Sequence, residues 1–414
     1  MERIASAAKQ HLLTVILPFW KELRDDTYGG YYGFVDQQLR LDRKAEKGCI
    51  LNSRILWFFS EAAMALEAQE LESYARHAYR FLRDHCLDRE NGGIFWSMTY
   101  DGKPLDTTKH TYNQGFAVYA LSSYYRLTVD MEALQTAMEI FRLIEKQCTD
   151  DVGYLEAFTA DWQPESNEKL SENGVMAAKT MNTLLHVFEG YSGLYQASHD
   201  PEVRRCMKRI LDIYENRVFD HDRNRQQVFF DENYNSIIDL YSYGHDIESS
   251  WLMDWGAGLL GDEAQSRRIG QLNQKMAAAV YENAYDHHSL ANECDRGEKN
   301  ELRIWWVQAE AVVGFVHQWR KTGEEKYARA AADTFRFVLE YVWDKRPGGE
   351  WFWCVDKHGV PTPEKPVVEP WKCPYHNGRM CLELMRREPE IYVQTPSPVL
   401  CSQGPAGAAA QPQK

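Results

Sequence analysis

Six short loops that bring glycine, aromatic or small residues together recur along the chain at an almost constant spacing. They lie near 28–34, 91–96, 152–157, 228–231, 289–293 and 348–353. With Gly29, Gly92, Gly153, Phe229, Ser289 and Gly348 as markers, the steps are 63, 61, 76, 60 and 59 residues. A period of this size marks a repeated supersecondary unit, each copy burying its apolar face against its neighbours. The one long step implies an insertion, placed around Glu165 to Glu172.

Between the loops the apolar residues follow a helical period. Ile4, Ala8, His11, Leu12, Val15, Ile16 and Phe19 form one stripe of the first segment. The pattern predicts twelve helices, near 3–23, 53–68, 70–86, 112–128, 131–147, 172–198, 201–218, 245–260, 262–284, 304–322, 324–343 and 375–386. Each loop falls after an odd helix and before an even one. Six helix pairs can close into a ring, an all-α (α/α)6 barrel with short β-hairpin loops at one mouth; an open superhelix has the same periodicity. The even helices are the more apolar and are placed inside. The barrel domain is assigned to residues 1–386. Residues 387–414, rich in Pro, Ala, Gly and Gln, are expected to form a disordered tail.

The even helices carry unusual polar groups near their starts. These are Arg54; Tyr112 and Asn113; Asn182 and His186; His245 and Glu248; Trp305, Trp306 and Glu310; and His376, Asn377 and Arg379. With the even helices inside, all of them converge at one mouth of the barrel. His245 and Glu248, three residues apart in the first turn of a helix, share a face. Such a pair can pin a loop to its helix, or it can move protons. A helix N-terminus keeps the imidazole neutral and available as a base. Arg54, in an apolar run, needs a partner: Glu248, Glu310 or an oxyanion formed in a reaction. Trp305, Trp306 and Trp371 can offer flat platforms to sugar rings.

Composition narrows the classes. The formal charge is -14 with no long basic run, which argues against nucleic acid and anionic membranes as partners. Nine scattered cysteines without Cys-x-x-Cys fit reduced thiols, no apolar run approaches a membrane span, and the start does not read as a signal peptide. A soluble, cytoplasmic protein, monomer or homodimer, is expected. The phosphate-binding and dinucleotide glycine motifs, the nucleophile elbow and paired metal-ligand spacings do not occur, so neither a metal nor a nucleotide cofactor is expected.

Five stretches carry a family resemblance: His-Thr-Tyr-Asn at 110–113, Lys-Thr-Met-Asn-x-x-x-His at 179–186, Ser-Tyr-Gly-His-Asp-Ile-Glu at 242–248, Trp-Trp-Val-Gln-Ala-Glu at 305–310 and Trp-Lys-Cys-Pro-Tyr-His-Asn-Gly-Arg at 371–379. Together they resemble the N-acylglucosamine 2-epimerase superfamily, most closely its cellobiose 2-epimerases, over roughly residues 1–386. The resemblance implies an (α/α)6 barrel and cofactor-independent inversion at C2 of a reducing-end sugar in a disaccharide such as cellobiose or lactose. It implies His245 and His376 as the acid/base pair and His186 as an aid to ring opening, with Glu248 orienting His245. Arg54, Tyr112, Asn182, Glu248, Trp305, Trp306, Glu310 and Trp371 would then form the sugar site. Three other readings stay open: N-acylglucosamine epimerisation or aldose–ketose isomerisation; a glycoside hydrolase using Asp246, Glu248 or Glu310; and a non-catalytic binding barrel.

Overall fold

The computed structural model describes residues 1–395. Twelve helices appear where the period places them. In chain order they are α1 (4–22), α2 (Cys49–Leu66), α3 (69–86), α4 (Thr111–Thr128), α5 (Met131–Gln147), α6 (Met181–Ser198), α7 (201–218), α8 (Tyr243–Leu259), α9 (Glu263–Ala284), α10 (Trp305–Thr322), α11 (325–342) and α12 (Tyr375–Arg387). Only α6 starts well away from its expected place. The inserted stretch before Met181 is irregular loop, not helix.

Each even helix packs on the next even helix, and α12 returns to α2, so the ring is closed rather than an open superhelix. The reason lies in composition. Every residue of α2 from Cys49 to Ala63 is buried, whereas α3 buries Leu71, Ala75, Ala78 and Tyr79 along one stripe and leaves the other face wet. A helix apolar on all sides belongs inside, and one with a single stripe belongs outside. Close approach within the inner ring depends on glycine: a Cβ on Gly190 of α6 would stand 2.5 Å from the Gly115 carbonyl oxygen of α4. Helix α2 is also the one described helix long and apolar enough to cross a membrane, contrary to the expectation from sequence, but 83% of it is buried within this fold.

The loops make short antiparallel pairs at the mouth that holds the N-termini of the inner helices. Lys47–Gly48, ahead of α2, pairs with Ser97–Met98 of the next repeat. Lys109–His110 pairs with Ala157–Phe158, Lys179–Thr180 with Phe229–Phe230, Leu240–Ser242 with Glu293–Asp295, and Arg303–Ile304 with Cys354–Val355. A bridge between Val35 and Val368 closes the circle. Beneath these pairs runs a repeated buried salt bridge that the sequence reading missed: Lys47–Asp25 at 2.6 Å, Lys109–Asp88 at 2.7 Å, Lys179–Asp150 at 2.5 Å and Lys372–Glu350 at 2.6 Å. Each basic residue sits just ahead of an inner helix, and its carboxylate follows the preceding outer helix. The bridge therefore fixes where each inner helix starts, and with it the side chains of the first turn.

The described structure also runs past the expected domain end. Tyr392–Val393 pairs with Glu2–Arg3, tying the stretch after α12 to the start of α1. The remainder of the expected tail, 396–414, lies outside the described residues.

Candidate functional site

The six inner helices point their N-termini at a cavity of about 310 Å³. Five of these starts, at Gly48, His110, Ser242, Ile304 and Pro374, have no side-chain cap, whereas outer helices α5, α7 and α9 are capped by Asp130, Asp200 and Asp262. The helix dipoles thus favour negative charge at this mouth, although the first N–H groups of α2, α4 and α10 are taken by the carbonyls of Trp96, Glu156 and Trp353. Ten of the eleven site residues expected from sequence line it: Arg54, Tyr112, Asn182, His186, His245, Glu248, Trp305, Trp306, Trp371 and His376.

The eleventh, Glu310, lies behind the wall, and its expected contact with substrate is corrected. Its Oε1 accepts a hydrogen bond from His376 Nδ1 at 2.8 Å, leaving Nε2 as the free nitrogen of that ring. His245 is held differently. Its Nδ1 lies 2.7 Å from the Ser242 hydroxyl, not on Glu248, so the expected His245–Glu248 pairing is also corrected. The i, i+3 spacing does bring both side chains to the cavity, but Glu248 turns to Arg379. His186 Nδ1 meets Glu189 Oε2 at 2.8 Å. One indole joins the first two histidines: the Trp306 ring centre is 4.7 Å from that of His245 and 5.5 Å from that of His376.

All three imidazoles are shifted towards the neutral form. Burial, reinforced by His186, pushes His245 down to about 3. Burial with the nearby Arg379 and Arg54 holds His376 well below the usual histidine range. His186 is lowered by burial, in part offset by Glu189.

Arg379, a cavity-mouth candidate in sequence terms, proves to be the hub beneath the floor. Its guanidinium bonds Glu189 Oε1 at 2.6 Å, Glu310 Oε1 at 2.7 Å, and the Glu248 carboxylate and Tyr375 hydroxyl at shorter range. Burial raises Glu189, but Arg379 and then His186 outweigh it and hold that carboxyl at about 2. Glu248 is pushed well up by burial and by the negative Glu310. Glu248, Glu310 and His376 bring donor atoms within 4.8 Å of one another, a spacing that suits a metal ion. The Arg379 guanidinium already places a cation on both carboxylates, so the donor set fits an ion-pair hub better than a metal site.

Arg54 pairs with neither Glu248 nor Glu310. It donates to the Tyr112 hydroxyl at 2.6 Å and to the Trp371 carbonyl at 3.3 Å, with its guanidinium 4.1 Å from the Phe116 ring centre. Among the described residues its charge has no carboxylate partner, and its Nε has no partner of any kind. Asn182 Oδ1, Glu248 Oε2 and Trp305 Nε1 are likewise buried without partners among the described residues. Buried polar atoms are normally satisfied. Four orphans from four inner helices around one cavity describe the outline of a ligand rich in hydroxyl groups. Asp246, by contrast, accepts from Gln226 Nε2 at 3.0 Å and does not line the cavity. Of the three carboxylates a hydrolase would use, only Glu248 reaches it.

Sequence reasoning missed Ser242, although it lies within a motif, and the outer rim formed by Lys169, Leu170, Glu172, Asn292, Glu293 and Trp353. The insertion marked by the long step was the available signal for the first three of the rim.

The N-acylglucosamine 2-epimerase family model matches residues 19–378. The chain is 48% identical over 398 residues to the cellobiose 2-epimerase of Eubacterium cellulosolvens, covering 92% of this chain and 98% of that one. Among solved structures it is similar to a sugar epimerase from a ruminal bacterium, with a TM-score of 0.93, 46% identity and coverage of 94% of this chain and 100% of that one. It is similar also to the cellobiose 2-epimerase of Bacillus thermoamylovorans B4167, with a TM-score of 0.90, 42% identity and coverage of 92% and 99%.

Proposed function

This chain belongs to the N-acylglucosamine 2-epimerase family, and on that premise we propose that it interconverts the reducing-end glucose and mannose of β-1,4-linked disaccharides such as cellobiose and lactose. It is a carbohydrate epimerase, an isomerase. The observation that carries the finer reading is the pair of imidazoles from α8 and α12 set against one indole, each with Nδ1 tied back and Nε2 left free.

Once the sugar ring opens, the C2 proton is alpha to an aldehyde. A neutral imidazole takes that proton, the electron pair moves into the C1–C2 bond, and O1 becomes the anion of a cis-enediolate. The unpaired charge of Arg54 and the helix N-termini stabilise O1, a contribution of about 3 kcal/mol per well-placed donor. A second imidazole, protonated, returns a proton to the opposite face of C2, and the sugar leaves as its epimer with no change of oxidation state. One of the two rings must therefore be charged. Glu310, accepting from His376 Nδ1, supports the imidazolium form of that ring once Nε2 takes up a proton. Ser242 gives His245 no charge, so His245 starts as the neutral base. His186 assists ring opening.

Cellobiose incubated with the enzyme in D2O tests the reaction. NMR should show the glucosyl-mannose epimer with deuterium at C2, and an epimer formed without label would end this mechanism. A panel that includes N-acetylglucosamine and free mannose separates the related readings.

The pH profile offers a second test. A base stops working when pH falls through its pKa, and both imidazoles are depressed. We expect kcat/KM not to fall as pH drops through histidine's ordinary range near 6.5. An acid limb centred there would show that the base is not one of these buried rings.

A further inference from the structure

A second cavity of about 310 Å³ opens at the other end of the barrel, where the inner helices terminate. Its walls include the Trp251 and Trp255 indoles, the Tyr119 phenol, the Gln196 amide, Arg126 and Arg386 with their carboxylates, and the far side of Arg379. Nothing in the reaction above uses it.

Apart from the Gln196 amide, the polar groups of the lining are donors or carboxylates already engaged. Glu61, buried at 2% exposure, is spent on both oxygens, taking Arg126 on Oε1 at 3.1 Å and Arg386 on Oε2. Glu383 is spent in the same way, on Arg386 and Arg387 at 2.9 Å each. Three arginines thus stand against two carboxylates in this network, of which Arg387 lies outside the cavity lining. Helix C-termini carry partial negative charge and account for part of that excess. They do not account for Tyr119. That side chain is 8% exposed, burial holds its hydroxyl in the neutral donor form, and the hydroxyl finds no partner among the described residues. Arg126, 31% exposed, lines the cavity and places one N–H group on Glu61, with no second hydrogen bond among the described residues. An acceptor with a negative charge satisfies both, and the flanking indoles favour an organic body over a bare inorganic ion.

We propose that this far mouth is a binding site for a small organic carboxylate, seated on Arg126 and Tyr119 between Trp251 and Trp255. The site rests on the geometry of the far cavity and stands apart from the sugar reaction. Its one link to the catalytic end is Arg379, which forms a wall here and the carboxylate hub there.

Calorimetric titration of the intact enzyme with sodium benzoate tests it. Saturable binding of one benzoate per chain is expected. Arg126→Gln should weaken it about tenfold or more, the loss of a charge-assisted hydrogen bond. Tyr119→Phe, which removes only the hydroxyl, should weaken it severalfold with an unchanged melting temperature. His376→Ala, altered at the sugar end, should bind as the unmodified enzyme does, and inorganic phosphate should bind more weakly than benzoate. Absence of saturable binding at millimolar benzoate would overturn the proposal. So would full affinity in both the Arg126 and Tyr119 variants, or loss in His376→Ala alone, which would place the carboxylate in the sugar cavity. Phosphate binding as tightly as benzoate would overturn the organic class.

Discussion

His376→Asn is expected to lower kcat for epimerisation by about a hundredfold to ten-thousandfold, the range that positioned acid–base groups contribute. The fold should survive. Asparagine keeps a polar group near Glu310, and that carboxylate retains Arg379 and Trp251 as donors. The diagnostic is a split between two measurements. If His245 removes the C2 proton from one epimer on its own face, exchange of that proton into D2O persists in the variant while inversion collapses. NMR on cellobiose gives both quantities from one sample. Inversion within tenfold of the unmodified rate would sink the two-imidazole scheme, whatever happened to exchange.

Arg379→Met is expected to cost more than any change at the cavity wall. The guanidinium, 1% exposed, is the shared cation of Glu189, Glu248 and Glu310. Removing one partner of a buried ion pair costs about 3–5 kcal/mol, and here three carboxylates lose theirs together. The pH dependence carries a sign. Arg379 holds Glu189 at about 2 in the intact protein, so its contribution is present above the ordinary carboxylate range and is lost as pH falls towards 2. Without Arg379 the same burial raises all three carboxyls. The stability deficit should then be largest at neutral pH and shrink as they protonate towards pH 4. Arg379→Lys should not restore stability, because a single ammonium cannot serve three carboxylates in fixed directions. Chemical denaturation of the variants at pH 7 and pH 4.5 checks this, and a deficit that grows on acidification would refute the hub.

Much of the site could be read before the fold was known, and the errors have a common cause. Arg54, Asn182, His186, His245 and His376 were found because polar groups near the starts of apolar helices stand out, and ten of the eleven chosen residues do line one cavity. What went wrong was pairing. Glu248 is three residues from His245 and on the same face, yet it turns to Arg379 on a different helix. Glu310 is on α10, but its place is behind His376 rather than against the sugar. Neighbours along a helix share a direction; they become partners only if no stronger partner arrives from elsewhere. Here a guanidinium does. The helix expected from 172 failed for a different reason, since the inserted residues before Met181 are held by the rim of the mouth and not by the barrel wall.

Local periodicity by itself determined the six repeats, the twelve helices, the assignment of even helices to the inside, and the end of the barrel at which the polar side chains emerge. All of these follow from burial along a single helix, and burial along a helix is written at spacings of three and four residues. Ring closure, the partner of each histidine, the convergence of three carboxylates on Arg379 and the second cavity at the far mouth were decided by the tertiary structure alone. They depend on how α6, α8, α10 and α12 are rotated against one another, and that rotation is set by packing among residues far apart in the chain.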